Sequence, residues 1–187
     1  QAVAAGHMVA VLDDLSYGHA ESVPAGLKFF RTDMGDQAAV RAALRESDAE
    51  VVIDFAAFTN VGESVQQPAR YHENNVVRTE GLLQAMLAEG VTKLVFSSTC
   101  ATYGIPEKIP MTEDLPQQPI NPYGATKLAV EKRLRELAAS HGLSFAAFRY
   151  FNAAGASAGA AIGEDHSPET HLIPLAIAAA LGRRPPL

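Results

Sequence analysis

The chain has 187 residues and a mass of 19.8 kDa, and with 48% hydrophobic and 19% charged residues it can bury a domain core, which excludes disorder and fibrous repeats. Its 15 Lys and Arg residues against 21 Asp and Glu give a net charge of −6, and this balance disfavours nucleic acid as a partner. The single cysteine excludes an internal disulfide and a cysteine-rich zinc site. We therefore expect a cytoplasmic protein with no membrane partner, since no apolar run approaches the ~20 residues of a membrane span and no signal peptide opens the chain.

Short valine-bearing strands alternate with helices in the first half of the chain. The pattern predicts strands over residues 8–12, 27–30 and 51–55, because each is a brief apolar run that ends at polar residues. Helices are expected over residues 37–45 and 69–89, with a loop through Gly62 between them. Residues 1–5 read as the last turn of a helix that Gly6 ends.

The second half continues the alternation around one long loop. A strand over residues 94–98 leads to a proline-rich loop over 99–121, and loops of that length are usually functional or disordered. Asn121 as N-cap and Pro122 at the first position then predict a helix that Gly142 ends. We expect its inner face to carry Leu128, Val130, Leu134 and Leu137, and its outer face Glu131, Lys132, Arg133, Arg135 and Glu136. A strand over 144–148, a Gly/Ala-rich loop over 153–162 and an apolar helix over 173–181 complete the chain.

This succession predicts a doubly wound α/β fold, a parallel sheet with helices on both faces. Ligands of such sheets lie outside the carboxyl ends of the strands. We therefore expect five strand ends to converge on one crevice: Asp13, Asp33, and residues 55–60, 97–101 and 149–152.

Asp13 is a candidate nucleotide ligand. An acid at a strand end of a dinucleotide fold accepts hydrogen bonds from the adenosine ribose and repels a 2′-phosphate, so Asp13 favours NAD over NADP. A solvated strand-end aspartate is the simpler interpretation. The Gly-rich phosphate loop normally lies about 20 residues earlier, and only twelve residues precede Asp13 here.

Tyr123 and Lys127 are four residues apart on the predicted helix, so their side chains share one face. A nearby ammonium and the positive helix N-terminus would lower the pKa of the tyrosine and make it a general base. Thr99, at the end of the preceding strand, could share a hydrogen bond with a substrate hydroxyl. Alone, each has a structural alternative, since a threonine after a strand commonly bonds only its own backbone.

Longer blocks carry a family resemblance. They are VLDDLSYG, FAAFTNVGESVQQP, YHENNV, VFSSTCATYG, NPYGATK, FRYFNAAGA and GEDHSPETHLIP. In this order and spacing they closely resemble the extended short-chain dehydrogenase/reductase family, in its branch of NAD-dependent epimerases and dehydratases. The resemblance spans nearly the whole chain. It implies a Rossmann-like fold truncated at both ends: residues 1–150 are a partial NAD-binding domain lacking the first strand and Gly-rich loop, and 151–187 begin a sugar-nucleotide substrate domain.

The resemblance also implies an activity, the reversible C4 epimerisation of UDP-glucose and UDP-galactose. Tyr123 would take the proton of the sugar 4-hydroxyl while hydride passes to tightly bound NAD, giving a 4-keto intermediate that turns before hydride returns. Thr99 would bond the same sugar oxygen, and Lys127 would hold the nicotinamide ribose. Thr59 stands where many members have lysine, so one cationic cofactor contact is missing. By the same resemblance, the full-length protein would be a homodimer.

Further site residues are carried over from the matching motifs. The cofactor would contact Asp13, Asp33, Met34, Phe55, Ala56, Ala57, Asn74, Tyr123, Lys127 and Tyr150. The UDP-sugar would contact Thr99, Tyr123, Asn152, Thr170, His171 and Leu172. No metal is expected, because the histidines lack metal-ligand spacing. Asn74 bonded to a neighbouring loop and His171 as a solvent-facing cap residue remain the structural alternatives.

Other functions stay open at this stage. A 4,6-dehydratase of the same family would need an acid just after Thr99, where Cys100 and Ala101 stand. A decarboxylase or a different nucleotide-sugar epimerase fits better, and an inactive truncated fragment is a further alternative. Hydrolase chemistry is excluded, because the sequence has no Gly-x-Ser-x-Gly nucleophile elbow.

Overall fold

A computed structural model describes residues 1–155, 159, 163, 166 and 169–186 of the chain. The strands are β1 (Ala10–Asp13), β2 (Lys28–Arg31), β3 (Val52–Asp54), β4 (Lys93–Thr99) and β5 (Ser144–Tyr150). The α-helices are α1 (Gln37–Ser47), α2 (Val61–Gln66), α3 (Pro68–His72), α4 (Arg78–Ala88), α5 (Pro122–His141) and α6 (Leu172–Ala180). Short 3₁₀ turns lie at Ala20–Ser22 and Cys100–Thr102. The predicted loop over 153–162 falls partly outside the described residues.

All paired strands run parallel, as the doubly wound α/β prediction requires. They form two sheets, one of β1 and β2 and one in the order β3-β4-β5. In the second sheet β4 is central, and its last residue Thr99 is paired with Tyr150 at the end of β5. This register brings the carboxyl ends of β4 and β5 to the same level.

The core lies where α1, α4 and α5 cover β4. Phe96 from β4, Met86 from α4 and Leu134 from α5 are almost completely buried there. Burial of one such side chain contributes about 1.5–3 kcal/mol. The packing therefore holds α5 firmly on the strand whose end carries Thr99.

The predicted start and end of α5 are confirmed. The Asn121 side chain accepts a hydrogen bond from the backbone N–H of Gly124 at 2.8 Å, Pro122 is the first helical residue, and Gly142 ends the helix with φ of 69°. The placement of Glu131 on the outer face is wrong, because its side chain is completely buried. The pattern that assigns every charged residue to solvent fails where buried donors compensate the charge.

The segment from Asn60 to Ala88 is more divided than predicted. Residues expected in a loop form α2, because the Asn60 side chain caps it by accepting from the N–H of Glu63 at 2.9 Å. The single long helix predicted over 69–89 is α3 and α4 joined by a π-helical stretch, Glu73–Val77. Such π-turns are frequent at functional sites. Residues 1–5 form a turn that Gly6 closes with φ of 86°.

The chain divides into two compact units, Gln1–Phe151 and Asn152–Leu187. The first holds all five strands given above, and the second contains α6, which has Pro174 in its first turn. Within the described part of the chain, every helix is too short or too polar to traverse a bilayer.

Candidate functional site

The carboxyl ends of β1, β2 and β3 surround a cavity of about 200 Å³. Seven of the ten residues predicted to contact the cofactor line it: Asp13, Asp33, Met34, Phe55, Ala56, Ala57 and Asn74. Three of the five strand ends expected in one crevice therefore meet at this cavity. The ends of β4 and β5 meet α5, and their place in the same crevice stays a prediction.

Two aspartates on the cavity wall are held by bonds to their own turns. Asp13 Oδ1 accepts from the N–H of Leu15 at 2.7 Å, and Asp33 Oδ1 accepts from the N–H of Gly35 at 2.7 Å. A Cβ at Gly18 would lie 3.0 Å from Asp13 Oδ1, so the absence of a side chain there lets the backbone approach this carboxylate. Both acids therefore have fixed orientations before any ligand binds.

Arg78 is a cavity-side cation that the sequence analysis missed. Its Nη1 lies 2.6 Å from Asp33 Oδ2 and 3.8 Å from Asp14 Oδ2. The residue stands at the start of α4, and no local motif in the sequence links it to the strand ends. Because two carboxylates already surround its guanidinium, Arg78 contributes little free positive charge to the cavity.

Asn75 joins the cavity to α5. Its Oδ1 accepts from the N–H of Phe58 at 2.8 Å and from Asn74 Nδ2 at 3.0 Å, and its Nδ2 donates to the Phe58 carbonyl at 2.9 Å and to Thr126 Oγ1 at 3.3 Å. The sequence analysis named only Asn74. The two consecutive asparagines were the signal available in the sequence. In the structure both are buried, and buried amides need several hydrogen-bond partners.

Tyr123 and Thr99 are brought together as predicted. The Thr99 hydroxyl lies close enough to the phenol of Tyr123 to lower its pKa, and Thr99 Oγ1 accepts from the N–H of Ala101 at 3.2 Å. Thr99 therefore bonds the backbone of its own segment, which was the structural alternative, and also lies near Tyr123 as predicted. Gly124 makes the approach possible, because a Cβ there would lie 2.5 Å from the carbonyl oxygen of Ala101.

Lys127 is buried one helical turn after Tyr123. Its Nζ donates to the Ser97 carbonyl at 2.8 Å and lies 4.7 Å from the ring centroid of Phe96. Burial lowers the pKa of Lys127 to about 8, and the negative charge of Asp54 opposes this effect. The ammonium is therefore anchored to the end of β4 beside Thr99.

The predicted lowering of the tyrosine pKa is wrong. Burial raises the pKa of Tyr123, and the nearby Thr99 hydroxyl only partly opposes this effect. The prediction assumed an ammonium held against the phenol, whereas Lys127 points its ammonium at a backbone carbonyl of β4. Tyr123 is consequently a neutral phenol in this structure.

Asp54 is a second buried acid that the sequence analysis did not single out. Its Oδ1 accepts from the N–H of Ala56 at 2.9 Å, while Oδ2 is buried with no partner among the described residues. Burial raises the pKa of Asp54, and the charge of Lys127 opposes this effect. An aspartate within the apolar run VVIDF was the available signal, because buried carboxylates are rare without a partner.

The remaining predicted residues occupy β5 and the second unit. Tyr150 ends β5 with its ring stacked on Phe148 at a centroid distance of 5.9 Å. In the second unit, Asn152, Thr170 and Leu172 are exposed, and His171 caps the start of α6.

Glu169 organises the start of α6. Its Oε1 accepts from the backbone N–H groups of Thr170 at 2.7 Å and His171 at 2.8 Å, and lies 3.0 Å from His171 Nδ1. With His166 these side chains place one possible metal-ligand atom each within 4.8 Å of one another, a spacing that the sequence analysis did not recognise. The backbone contacts of Glu169 give the cluster a structural role at this helix terminus.

Comparison with known proteins shows what this chain is similar to. The sequence profile of the NAD dependent epimerase/dehydratase family matches residues 1–187. UDP-glucose 4-epimerase from Lactobacillus helveticus is 50% identical over 169 residues, which is 90% of this chain and 51% of the relative. The enzyme of the same name from Streptomyces lividans is 50% identical over 183 residues, 97% of this chain and 55% of the relative.

Solved structures agree with the sequence matches. The UDP-glucose 4-epimerase from Brucella ovis in complex with NAD superposes with a TM-score of 0.94 at 45% identity, covering 99% of this chain and 57% of that one. The enzyme from Stenotrophomonas maltophila with bound NAD and formylated UDP-arabinopyranose has a TM-score of 0.95 at 35% identity, covering 100% and 58%. The predicted Rossmann-like fold and family resemblance are confirmed. The chain spans about half the length of the curated relatives it matches.

Proposed function

The chain belongs to the NAD dependent epimerase/dehydratase family, and we propose that the protein carrying it interconverts UDP-glucose and UDP-galactose by inverting the sugar at C4. One observation carries this proposal. The phenol of Tyr123, the hydroxyl of Thr99 and the ammonium of Lys127 all meet the carboxyl end of β4. The two relatives at 50% identity are both named UDP-glucose 4-epimerase, and this supports the choice of reaction.

The cavity residues suit an NAD cofactor. Asp13 and Asp33 offer oriented carboxylates for ribose and adenine, and the exposed residues Phe55 and Ala56 line the same cavity. With the cation of Arg78 already paired, acidic side chains dominate one wall, which disfavours the extra phosphate of NADP. When bound, NAD would supply the hydride acceptor and donor.

The proton transfers fall to side chains of this chain. Tyr123 would accept the proton of the sugar 4-hydroxyl and later return one, and Thr99 would share a hydrogen bond with the same oxygen. The nearby Thr99 hydroxyl favours the phenolate by lowering the pKa of Tyr123, which burial otherwise raises. Lys127, anchored on the Ser97 carbonyl, would present a cation to the nicotinamide ribose.

This proposal assigns cofactor binding and substrate recognition to two successive parts of the chain. Residues 1–150 form the NAD-binding part, and 151–187 begin the part that holds the UDP-sugar. Asn152, Thr170, His171 and Leu172 would contact the diphosphate and uridine, and Tyr150 the nicotinamide. A cytoplasmic homodimer is part of the same proposal, supported by the single cysteine and by the family relationship.

A coupled assay of UDP-galactose conversion by the natural protein that contains this sequence tests the reaction. We expect Tyr123→Phe to lower kcat by about 10²- to 10⁴-fold, because the ring keeps its packing and loses only the proton-transferring oxygen. Binding of UDP should be unchanged in that variant. Tyr71→Phe is the matched control, since Tyr71 is a buried phenol bonded to Glu63 rather than Thr99. Near-normal turnover by Tyr123→Phe would reject the assigned base.

A further inference from the structure

Glu131 is a completely buried carboxylate for which the proposed reaction has no role. It lies on α5, four residues after Lys127 and eight after Tyr123, so the three side chains follow one face of the helix. That face meets three consecutive residues of β4. The Lys127 ammonium donates to the Ser97 carbonyl, the Ser98 hydroxyl donates to Glu131 Oε1 at 2.6 Å, and the Thr99 hydroxyl lies near the phenol of Tyr123.

Glu131 also ties α5 to β5. Arg149 donates from Nε to Oε1 at 3.0 Å and from Nη2 to Oε2 at 2.7 Å, a bidentate pair of the strongest kind for a carboxylate. Gln117 and Arg135 donate to Oε2 at 3.1 and 2.9 Å. Burial raises the pKa of Glu131, but these donors together outweigh it and hold the pKa below its usual range. The carboxylate is therefore a fixed anion.

The same arginine extends the connection to the long loop after β4. Arg149 Nη1 donates to the hydroxyl of Tyr103 at 2.6 Å and to the Glu113 carbonyl at 3.3 Å, and its guanidinium lies 5.0 Å from the Tyr103 ring centroid. One carboxylate thus holds together the end of β4, the end of β5 and the loop between Thr99 and Asn121. A buried anion tolerates displacement poorly, because each lost donor leaves uncompensated charge.

We propose that Glu131 is a positioning residue that, through the Ser98 hydroxyl, sets the Thr99 hydroxyl against the phenol of Tyr123. This inference rests on the proposed function. Glu131 itself touches no reacting atom, since it is enclosed by its donors. Its contribution should appear in kcat, which depends on the alignment of Thr99 and Tyr123, and not in the affinity for the nucleotide.

Glu131→Gln is the direct test in the natural protein that contains this sequence. Glutamine keeps the size but has one acceptor oxygen, whereas Ser98 and Arg149 donate to Oε1 and three further donors reach Oε2. We expect kcat to fall about ten- to hundred-fold, the cost of a displacement near 1 Å at a reacting group. KM for the UDP-sugar and the bound NAD per protomer should stay within about two-fold of wild type.

Ser98→Ala is a milder second variant that removes only the hydroxyl linking Glu131 to β4. We expect a smaller loss of kcat, again with unchanged KM. Because both substitutions break the same link, the double variant should lose less than the product of the single losses. Glu136→Gln is the matched control on the same helix, since its carboxylate is exposed and pairs with Arg133 at the surface.

Crystal structures of the variants provide a readout independent of turnover. We expect the distance between Thr99 Oγ1 and Tyr123 Oη to be longer in Glu131→Gln and in Ser98→Ala than in the wild-type crystal structure. The inference would be overturned if Thr99 and Tyr123 keep their positions and kcat stays within about two-fold of wild type. It would also be overturned if the loss of kcat is fully explained by a smaller fraction of folded protein. If wild type converts no UDP-sugar, the proposed function fails instead, and the Thr99 to Tyr123 distance still decides the role of Glu131.

Discussion

The cofactor cavity and the face of α5 that meets β4 are built in different ways. At the cavity, Asp13 and Asp33 are oriented by the backbone N–H groups two residues ahead in their own turns. On α5, Lys127 reaches a carbonyl 30 residues away and Glu131 a hydroxyl 33 residues away. The cavity acids lie at the surface, whereas both helix residues are buried.

This difference separates ligand contact from alignment. Local bonds orient a carboxylate without depending on the rest of the fold, so changes at the cavity should alter binding while leaving stability intact. The α5 contacts bury charge, so changes there should alter stability and alignment together. Three substitutions test this separation.

Lys127→Met should have the largest effect on stability. The pKa of Lys127 falls from 10.5 to about 8 on folding, so between these pH values the unfolded chain binds more protons and the free energy of unfolding rises with pH. The rise from this one group amounts to about 3 kcal/mol. We expect Lys127→Met to lack this rise in the free energy of unfolding.

Urea unfolding at pH values across that window measures the difference between wild type and variant. Lys132→Met is the control, because Lys132 is exposed on the same helix. Parallel curves for wild type and Lys127→Met would show that Lys127 is not desolvated by the fold.

Gly124→Ala should destabilise the protein by about 1–3 kcal/mol and reduce turnover. The new Cβ would lie 2.5 Å from the Ala101 carbonyl oxygen, so the start of α5 must move away from the segment after Thr99. Gly62→Ala, in α2, is the matched control, because its Cβ would lie 3.4 Å from its nearest neighbour, Asn60 Oδ1. Thermal unfolding of both variants measures the difference. Equal unfolding midpoints would contradict the close approach of residue 124 to the Ala101 carbonyl oxygen.

Asp13→Asn should have the smallest effect on stability, within about 0.5 kcal/mol, because an amide oxygen can still accept from the N–H of Leu15. Loss of the negative charge should weaken NAD binding by about ten-fold and reduce the preference for NAD over NADP. Calorimetric titration with both nucleotides measures this, with Asp48→Asn, at the end of α1, as the control. An unchanged preference would remove Asp13 from cofactor selection.

Much of the fold was predictable from short-range patterns. The start of α5 followed from Asn121 and Pro122, and its end from Gly142, because capping depends on residues within one turn. The break in the helix over 69–89 was not predictable in this way, since its π-turn serves Asn75, whose side chain bonds Phe58 and Thr126. Glu131 was misplaced for the same reason, because its donors come from β4, β5 and the long loop.

The amino-acid sequence alone determined the parallel α/β fold, the family and the pairing of Tyr123 with Thr99, because these follow from periodicity and from motifs with fixed spacing. Tertiary structure decided the charge state of those groups. Burial raises the pKa of Tyr123, lowers that of Lys127 and turns Glu131 into an internal anion. Desolvation depends on which distant residues surround a side chain, and no local pattern in the sequence records that.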